Sequence, residues 1–302
     1  MRSGLHGDQC AILGLVGALV SSDSRKREFL AAQMIAELEL EIAGPDAALD
    51  ETCEPLADEL RFLARAFVEG ARHEVREVLE VGCGLGDRLI PLLRQQLWVT
   101  GLDLQPEAVT SCRRRLERHG LSTRVMHGDV RTLTADADYD ALLLMRGLLS
   151  LLVDEDQPLD VLRRVRRALR PGGVLVLEHR NLLALWPVFG RDLVRTATLP
   201  DGRRYELGRR ASVASFAGWV HERRWAKLLD GGGGHQRELF EQHDTLRITT
   251  VSETVALLRH AGFDVLQTQP HPRIAGPWIE VAQFGASEVD PASVWIVAQR
   301  PN

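Results

Sequence analysis

The stretch Glu80-Val81-Gly82-Cys83-Gly84-Leu85-Gly86 decides the fold that we predict for this chain. It follows an apolar run at 76–81 and precedes an amphipathic segment, which indicates a glycine-rich turn between a strand and a helix. Glycines in such a turn let the backbone approach a ligand closely, although a tight strand–helix connection has the same appearance. A dinucleotide site of the type G-x-G-x-x-G would need a glycine where this chain has Asp87.

The segments on both sides of this turn alternate between apolar strands and amphipathic helices. The predicted strands are 76–81, 98–103, 123–127, 139–145, 174–178, 263–269 and 293–299. The predicted helices between the first five strands are 86–96, 106–119 and 155–169. Apolar strands that alternate with helices predict a mostly parallel sheet covered on both faces.

Two carboxylates follow neighbouring strands of this predicted sheet. Asp103 ends the second strand, 23 residues after Glu80, and can accept hydrogen bonds from both hydroxyls of a ribose. Asp129 follows the third strand and can accept a hydrogen bond from the amine of an adenine. Each of them alone is equally a strand-end cap or a surface acid. Because parallel strands end at one edge of the sheet, the two together predict a nucleoside site there.

The ordered set of these strings resembles the successive motifs of class I S-adenosylmethionine-dependent methyltransferases. The strings are VLEVGCGLGDRLIPL (78–92), VTGLDLQPEAV (99–109), HGDV (127–130), YDALLLM (139–145), LRPGGVLVLE (169–178) and LLRHAGFDVL (257–266). The resemblance implies an α/β, Rossmann-like fold with a seven-stranded sheet of order 3-2-1-4-5-7-6, whose last strand is antiparallel. It also implies S-adenosylmethionine as the cofactor.

The same resemblance implies a role for individual residues. The methionine part of the cofactor would be surrounded by Glu80, Gly82, Cys83, Gly84 and Gly86. The ribose would be held by Asp103, with Leu104 beside the adenine, and the adenine by Asp129 and Val130. The sulfonium and the methionine tail would lie near Met145 and Arg146.

Four parts of the chain are expected. Residues 1–70 form an N-terminal helical extension with helices at 24–42 and 54–70, and residues 71–180 form the methyltransferase core. Residues 181–251 break the alternation; ASVASFAGWVHERRW and QRELFEQHDTLRITT are typical of antiparallel strands, with Gly231 to Gly234 as a permissive turn. This insertion would be a substrate lid, and residues 252–302 would complete the core after a helix capped by Ser252.

The insertion resembles that of small-molecule methyltransferases, so we predict methyl transfer to O, N or C of a small molecule, in secondary metabolism. His179, after the fifth strand, is the predicted general base, and Arg180 and Asn181 would orient the substrate. Leu149, Trp219 and Trp278 would line an apolar pocket for an apolar or aromatic body. A homodimer interface would use the same apolar residues. Relatives that methylate amino sugars carry a histidine where this chain has Leu151, so that base is missing here.

Composition narrows the alternatives. The chain has 302 residues with 37 basic and 42 acidic groups, and its net charge of −5 argues against a nucleic-acid partner. The four cysteines are far apart, which predicts no metal site, reduced thiols and a cytoplasmic location. No apolar run is long enough to predict a membrane helix. A methyltransferase for RNA, DNA or protein, a non-catalytic S-adenosylmethionine-binding protein and an NAD-dependent oxidoreductase remain as alternatives.

Overall fold

The computed structural model describes residues 54–184, 189–198, 204–229, 236–270 and 293–302. The predicted helix at 24–42, the glycine run 231–234 and Trp278 lie outside these ranges. The predicted helix at 54–70 is α1 (Glu54–Gly70).

The core is a seven-stranded sheet with the order β10-β11-β5-β4-β1-β2-β3. Its strands are β1 (Glu77–Val81), β2 (Trp98–Asp103), β3 (Val125–His127), β4 (Tyr139–Leu144), β5 (Leu169–Arg180), β10 (Asp264–Pro270) and β11 (Ser293–Gln299). Strand β11 runs antiparallel to both β5 and β10, and the other neighbours in the sheet are parallel. In chain order this is 3-2-1-4-5-7-6, so the predicted fold class and topology are confirmed.

Helices cover both faces of this sheet, as apolar strands require. One face packs against α1, α2 (Leu89–Arg94) and α3 (Pro106–Arg118), and the other against α4 (Gln157–Ala168) and α5 (Val251–His260). Successive side chains of β5 point to opposite faces: Val174 and Val176 belong to the first core, Leu175 and Leu177 to the second. All four side chains are buried, so β5 separates two dry cores.

Several element boundaries differ from the prediction for local reasons. Helix α5 begins with a capping box formed by Thr250 and Glu253, and not at Ser252, because the Thr250 hydroxyl accepts the Glu253 N–H. Helix α2 begins only at Leu89, after Gly86 with its φ of +84°. Strand β5 begins directly after α4. Its pairing with β4 is interrupted at Pro171 to Gly173, between the pair that Leu169 forms and the pair that Val174 forms.

The insertion forms a second, four-stranded sheet of antiparallel neighbours in the order β6-β7-β8-β9. Its strands are β6 (Asp192–Thr198), β7 (Arg204–Ala214), β8 (Trp219–Leu229) and β9 (Gln236–Arg247). The antiparallel strands predicted at 211–225 and 236–250 are confirmed, although the first segment is a hairpin that turns through Gly218 at a φ of +67°. Ala211, Val220 and Leu246 share the sheet face that packs on Leu182.

Within the described ranges, the helices are all too short or too polar to span a membrane. The same residues contain no group of three or more His, Cys, Asp or Glu side chains placed to hold a metal ion.

Candidate cofactor and substrate site

The glycine-rich turn is folded over the end of β2. The N–H groups of Gly82 and Cys83 donate to the Leu102 carbonyl oxygen at 2.7 and 3.2 Å. Gly84 has a φ of +53°, and a Cβ built on it would meet no atom within 4 Å, so the turn borders open space there. A Cβ on Gly86 would lie 2.8 Å from the Cys112 Sγ, so this glycine instead permits close packing.

Asp103 is fixed at the same edge of the sheet by backbone groups. Its Oδ2 accepts the Gly84 N–H at 2.8 Å, and its Oδ1 accepts the Gln105 N–H at 2.9 Å. An ionised carboxylate has about four acceptor positions, so two remain for a ligand. Leu104 beside it is 58% exposed, an apolar side chain presented at a ligand-binding edge.

Asp129 follows β3, where it caps the 3₁₀ turn that Val130 begins. Its Oδ1 accepts the backbone N–H of Arg131 at 2.8 Å, and the Arg131 guanidinium donates to both carboxylate oxygens. The hydrogen bonds from Arg131 lower the pKa of Asp129. An adenine amine at this carboxylate would therefore share it with Arg131.

Glu80 belongs to a buried group of three charges. Its Oε1 accepts from Arg88 Nη1 at 3.2 Å, while Arg88 Nε donates to Glu59 of α1, and all three residues are at most 6% exposed. Glu80 Oε2 is buried and has no hydrogen-bond partner among the described residues. Burial raises the pKa of Glu80 to about 7 against the opposing charge of Arg88. Because Glu59 and Glu80 both accept from the single guanidinium of Arg88, these three side chains can bind one further cation.

Arg146 follows β4 in a left-handed conformation with a φ of +57°, which is strained for a residue other than glycine. Its N–H donates to Glu178 Oε2 at 2.8 Å, and its guanidinium Nη2 lies 2.5 Å from Asp87 Oδ2. Asp87 also pairs with Arg115. Burial alone would raise the Asp87 pKa, but the two guanidiniums lower it below its usual value. Met145 before this turn is 3% exposed.

A cavity of about 270 Å³ lies between the ends of β4 and β5 and the inner face of the second sheet. It is lined by Arg146, Gly147, Leu151, Arg180, Gly208, Arg209, Glu222, Arg224, Asp244 and Leu246. Four arginines and two carboxylates among these ten residues make the cavity strongly charged. The predicted apolar pocket is therefore wrong for this cavity, because β7, β8 and β9 turn charged side chains toward it.

Of the predicted substrate residues that the structure describes, which exclude Trp278, Arg180 alone lines this cavity. Leu149 packs against the core on the other side of the 3₁₀ turn Leu148–Leu151. Trp219 is 37% exposed and contacts the His221 ring edge-on at 6.4 Å between centroids. Asn181 is half-buried, and its carbonyl accepts the Ala184 N–H at 3.2 Å.

Sequence reasoning missed Arg209, Glu222, Arg224 and Asp244. The register brings them together, since Arg209 pairs with Arg224 across β7–β8, and Glu222 pairs with Asp244 across β8–β9. The one signal in the sequence is the run of charged residues at 222–224, which places charges on both faces of a strand and does not say which face meets the core.

His179 lies on the face of the sheet opposite Glu80. It is 4% exposed, and its Nδ1 is 3.0 Å from the Thr254 hydroxyl of α5. Burial lowers the pKa of His179 to about 4, so its imidazole is neutral at pH 7. The structure does not bring this predicted base to the cavity.

Comparison with known proteins agrees with this geometry. Residues 78–173 match the family model described as a methyltransferase domain. Over 191 residues the chain is 27% identical to the cypemycin N-terminal methyltransferase of Streptomyces sp, which covers 63% of this chain and 73% of that protein. Over 180 residues it is 26% identical to the ubiquinone biosynthesis O-methyltransferase of Coxiella burnetii, covering 59% and 74%.

Solved structures share the fold. The sugar N-methyltransferase KedS8 from Streptoalloteichus sp ATCC 53650 superposes with a TM-score of 0.62 at 20% identity, over 82% of this chain and 87% of that one. The glycine-rich turn and the strand-end carboxylates Asp103 and Asp129 all lie within the matched residues 78–173. Residues 78–173 of this chain therefore resemble a methyltransferase domain, and the chain shares its fold with a solved methyltransferase structure.

Proposed function

We propose that this protein methylates a small molecule held in the cavity between β4, β5 and the second sheet. The observation that carries the proposal is the position of Arg146, which lines the cavity and pairs with Asp87 beside the glycine-rich turn. The cavity volume of about 270 Å³ suits a small substrate, since the pockets that hold drug-sized ligands measure roughly 300–1,000 Å³. The names of the relatives give different acceptors, an N-terminus in one and an oxygen in the other. The acceptor atom, O, N or C, and a role in secondary metabolism are therefore part of this proposal.

The residues present fit S-adenosylmethionine. When bound, it supplies a methyl group on a positively charged sulfur, which needs little further activation. Asp103 would hold the ribose with its two remaining acceptor positions, and Leu104 would pack on the adenine. Glu80 would accept from the methionine ammonium through Oε2, the buried oxygen without a partner. The remaining task of the protein is to align the acceptor and to exclude water.

The first test uses S-adenosylhomocysteine, the product form of the cofactor. We expect it to raise the melting temperature, because a ligand at 100 times its dissociation constant stabilises the native state by about 2.7 kcal/mol. Differential scanning fluorimetry with NAD as the comparison measures this. Stabilisation by NAD and none by millimolar S-adenosylhomocysteine contradicts the proposal.

A second test concerns His179. As a catalytic base, it would be needed for turnover; as a buried side chain bonded to Thr254, it would be needed for stability. We expect His179→Ala to lower the free energy of unfolding by about 1–3 kcal/mol, because it leaves a cavity and an unpaired hydroxyl. Turnover per folded molecule separates the two roles, and a loss of turnover at unchanged stability would restore His179 as the base.

A cytoplasmic location is part of the same proposal, supported by the free thiols of Cys83 and Cys112. A homodimer formed through the insertion stays a prediction. It is supported by Phe216, an aromatic side chain that is fully exposed in the turn between β7 and β8.

A further inference from the structure

Two partly buried arginines, with side chains 26% and 14% exposed, share one oxygen of a buried carboxylate in the substrate cavity. Glu222, 4% exposed, accepts at Oε1 from Arg180 Nη2 at 3.0 Å and from Arg209 Nε at 2.5 Å. Its Oε2 has only Arg224 Nε nearby, at 3.8 Å. Three guanidiniums thus converge on a single buried carboxylate.

The charges of the cavity do not balance. Arg224 has a second carboxylate, Asp244, 2.8 Å from its Nη2, and Arg146 has Asp87. Among the described residues Arg180 and Arg209 share Glu222 as their carboxylate, so one positive charge of this pair has no counter-ion in that part of the chain. Burial and the charge of Arg180 lower the pKa of Arg209, which reflects the same repulsion.

A buried cation without a counter-ion is costly, because it loses its hydration and gains no ion pair. In a cluster with a purely structural role, equal numbers of positive and negative groups, or apolar residues in their place, would make the protein more stable. An anion entering the cavity between Arg180 and Arg209 removes this cost. A planar carboxylate suits the guanidinium fork, which donates two parallel hydrogen bonds to it.

We propose that the substrate carries a carboxylate, and that Arg180 and Arg209, held beside each other by Glu222, bind it. This inference rests on the proposed function, since it assigns the substrate class of the same cavity. The small volume favours a compact carboxylic acid with its acceptor atom on the side of Arg146.

The experiment compares benzoate with benzamide, which have the same shape and differ in charge. Titration calorimetry is carried out on the full chain with saturating S-adenosylhomocysteine at constant ionic strength. We expect benzoate to bind at least about tenfold more tightly than benzamide, because charge-assisted hydrogen bonds are roughly twice as strong as neutral ones. Arg209→Gln and Arg180→Gln should each remove this preference.

Arg223→Gln is the matched control on the same strand. Arg223 pairs with Glu241 and lies over the Trp225 ring at 4.9 Å, outside the cavity lining. This variant should keep the preference for benzoate. Glu222→Gln should tighten benzoate binding, because it removes the competing carboxylate, and a misfolded protein cannot show such a gain.

The outcomes separate the two proposals. Failure of S-adenosylhomocysteine to bind the wild type would count against the proposed function. Cofactor binding with an equal response to benzoate and benzamide, including no response to either, would overturn the carboxylate alone. Tighter binding of phenyl phosphate than of benzoate would replace the carboxylate by a phosphate.

Discussion

Replacing Asp103 by alanine is expected to weaken the binding of S-adenosylhomocysteine at least about tenfold, since a hydrogen bond to a charged group contributes roughly 1.5–3 kcal/mol. The effect has two sources. The ribose hydroxyls lose their ionised acceptor, and the glycine-rich turn loses the Asp103 oxygen that accepts the Gly84 N–H at 2.8 Å. Titration calorimetry of the full chain measures the change.

Asp103→Asn separates these sources, because an amide keeps one acceptor oxygen for Gly84 and loses the charge. We expect its affinity to lie between those of the wild type and the alanine variant. Asp136→Ala is the control for a lost carboxylate, since Asp136 is exposed and paired with Arg167 at 3.2 Å. An unchanged dissociation constant in Asp103→Ala would remove Asp103 from the cofactor site.

The central strands of the core were predictable because they are apolar on both faces, whereas the strand order was implied by the resemblance to the methyltransferase motifs. The run Tyr139–Leu144 is buried along its whole length, and Ser293–Gln299 likewise, although these two strands are far apart in the chain. Asp103 was predictable for a related reason: it is the charged residue that ends β2, so it must lie at the edge where the parallel strands end.

The polarity of the substrate cavity was not predictable, because it depends on register. Glu222 and Arg224 line the cavity, whereas Arg223 between them pairs with Glu241 away from it. In a strand a shift by one residue exchanges the two faces, and the sequence 219–225 carries charged or aromatic residues on both. Trp219, one of the residues from which the apolar pocket was predicted, lies on the face of β8 that does not line the cavity.

The same alternation explains the misplaced base. Glu178 and His179 are neighbours at the end of β5, so their side chains point to opposite faces. Glu178 accepts the Arg146 N–H beside the cavity, while His179 is bonded to Thr254 beneath α5. Sequence identified the correct strand end and could not assign the face, which only the packing of α5 determines.

The position of Glu80 makes cofactor affinity sensitive to pH. Burial raises its pKa to about 7, so near pH 6 most molecules carry a neutral carboxyl group that cannot pair with an ammonium. An ammonium bound at Glu80 would stabilise the ionised form and lower this pKa, so by linkage we expect affinity to rise with pH until Glu80 is ionised in the free protein. We expect affinity for S-adenosylhomocysteine to increase about tenfold between pH 6 and pH 8, as the ionised fraction does.

Two variants test whether Glu80 is the titrating group. Glu80→Gln should bind at least about tenfold more weakly at pH 8 because the ammonium loses its charged partner, and its pH profile should retain only the titration of the ligand itself. Glu59→Gln should move the wild-type midpoint to lower pH, since the charge of Glu59 raises the Glu80 pKa and competes for Arg88. Identical pH profiles in the wild type and Glu80→Gln would show that this carboxylate does not bind the cofactor, whereas a midpoint that follows Glu59 identifies Glu80 as the titrating group.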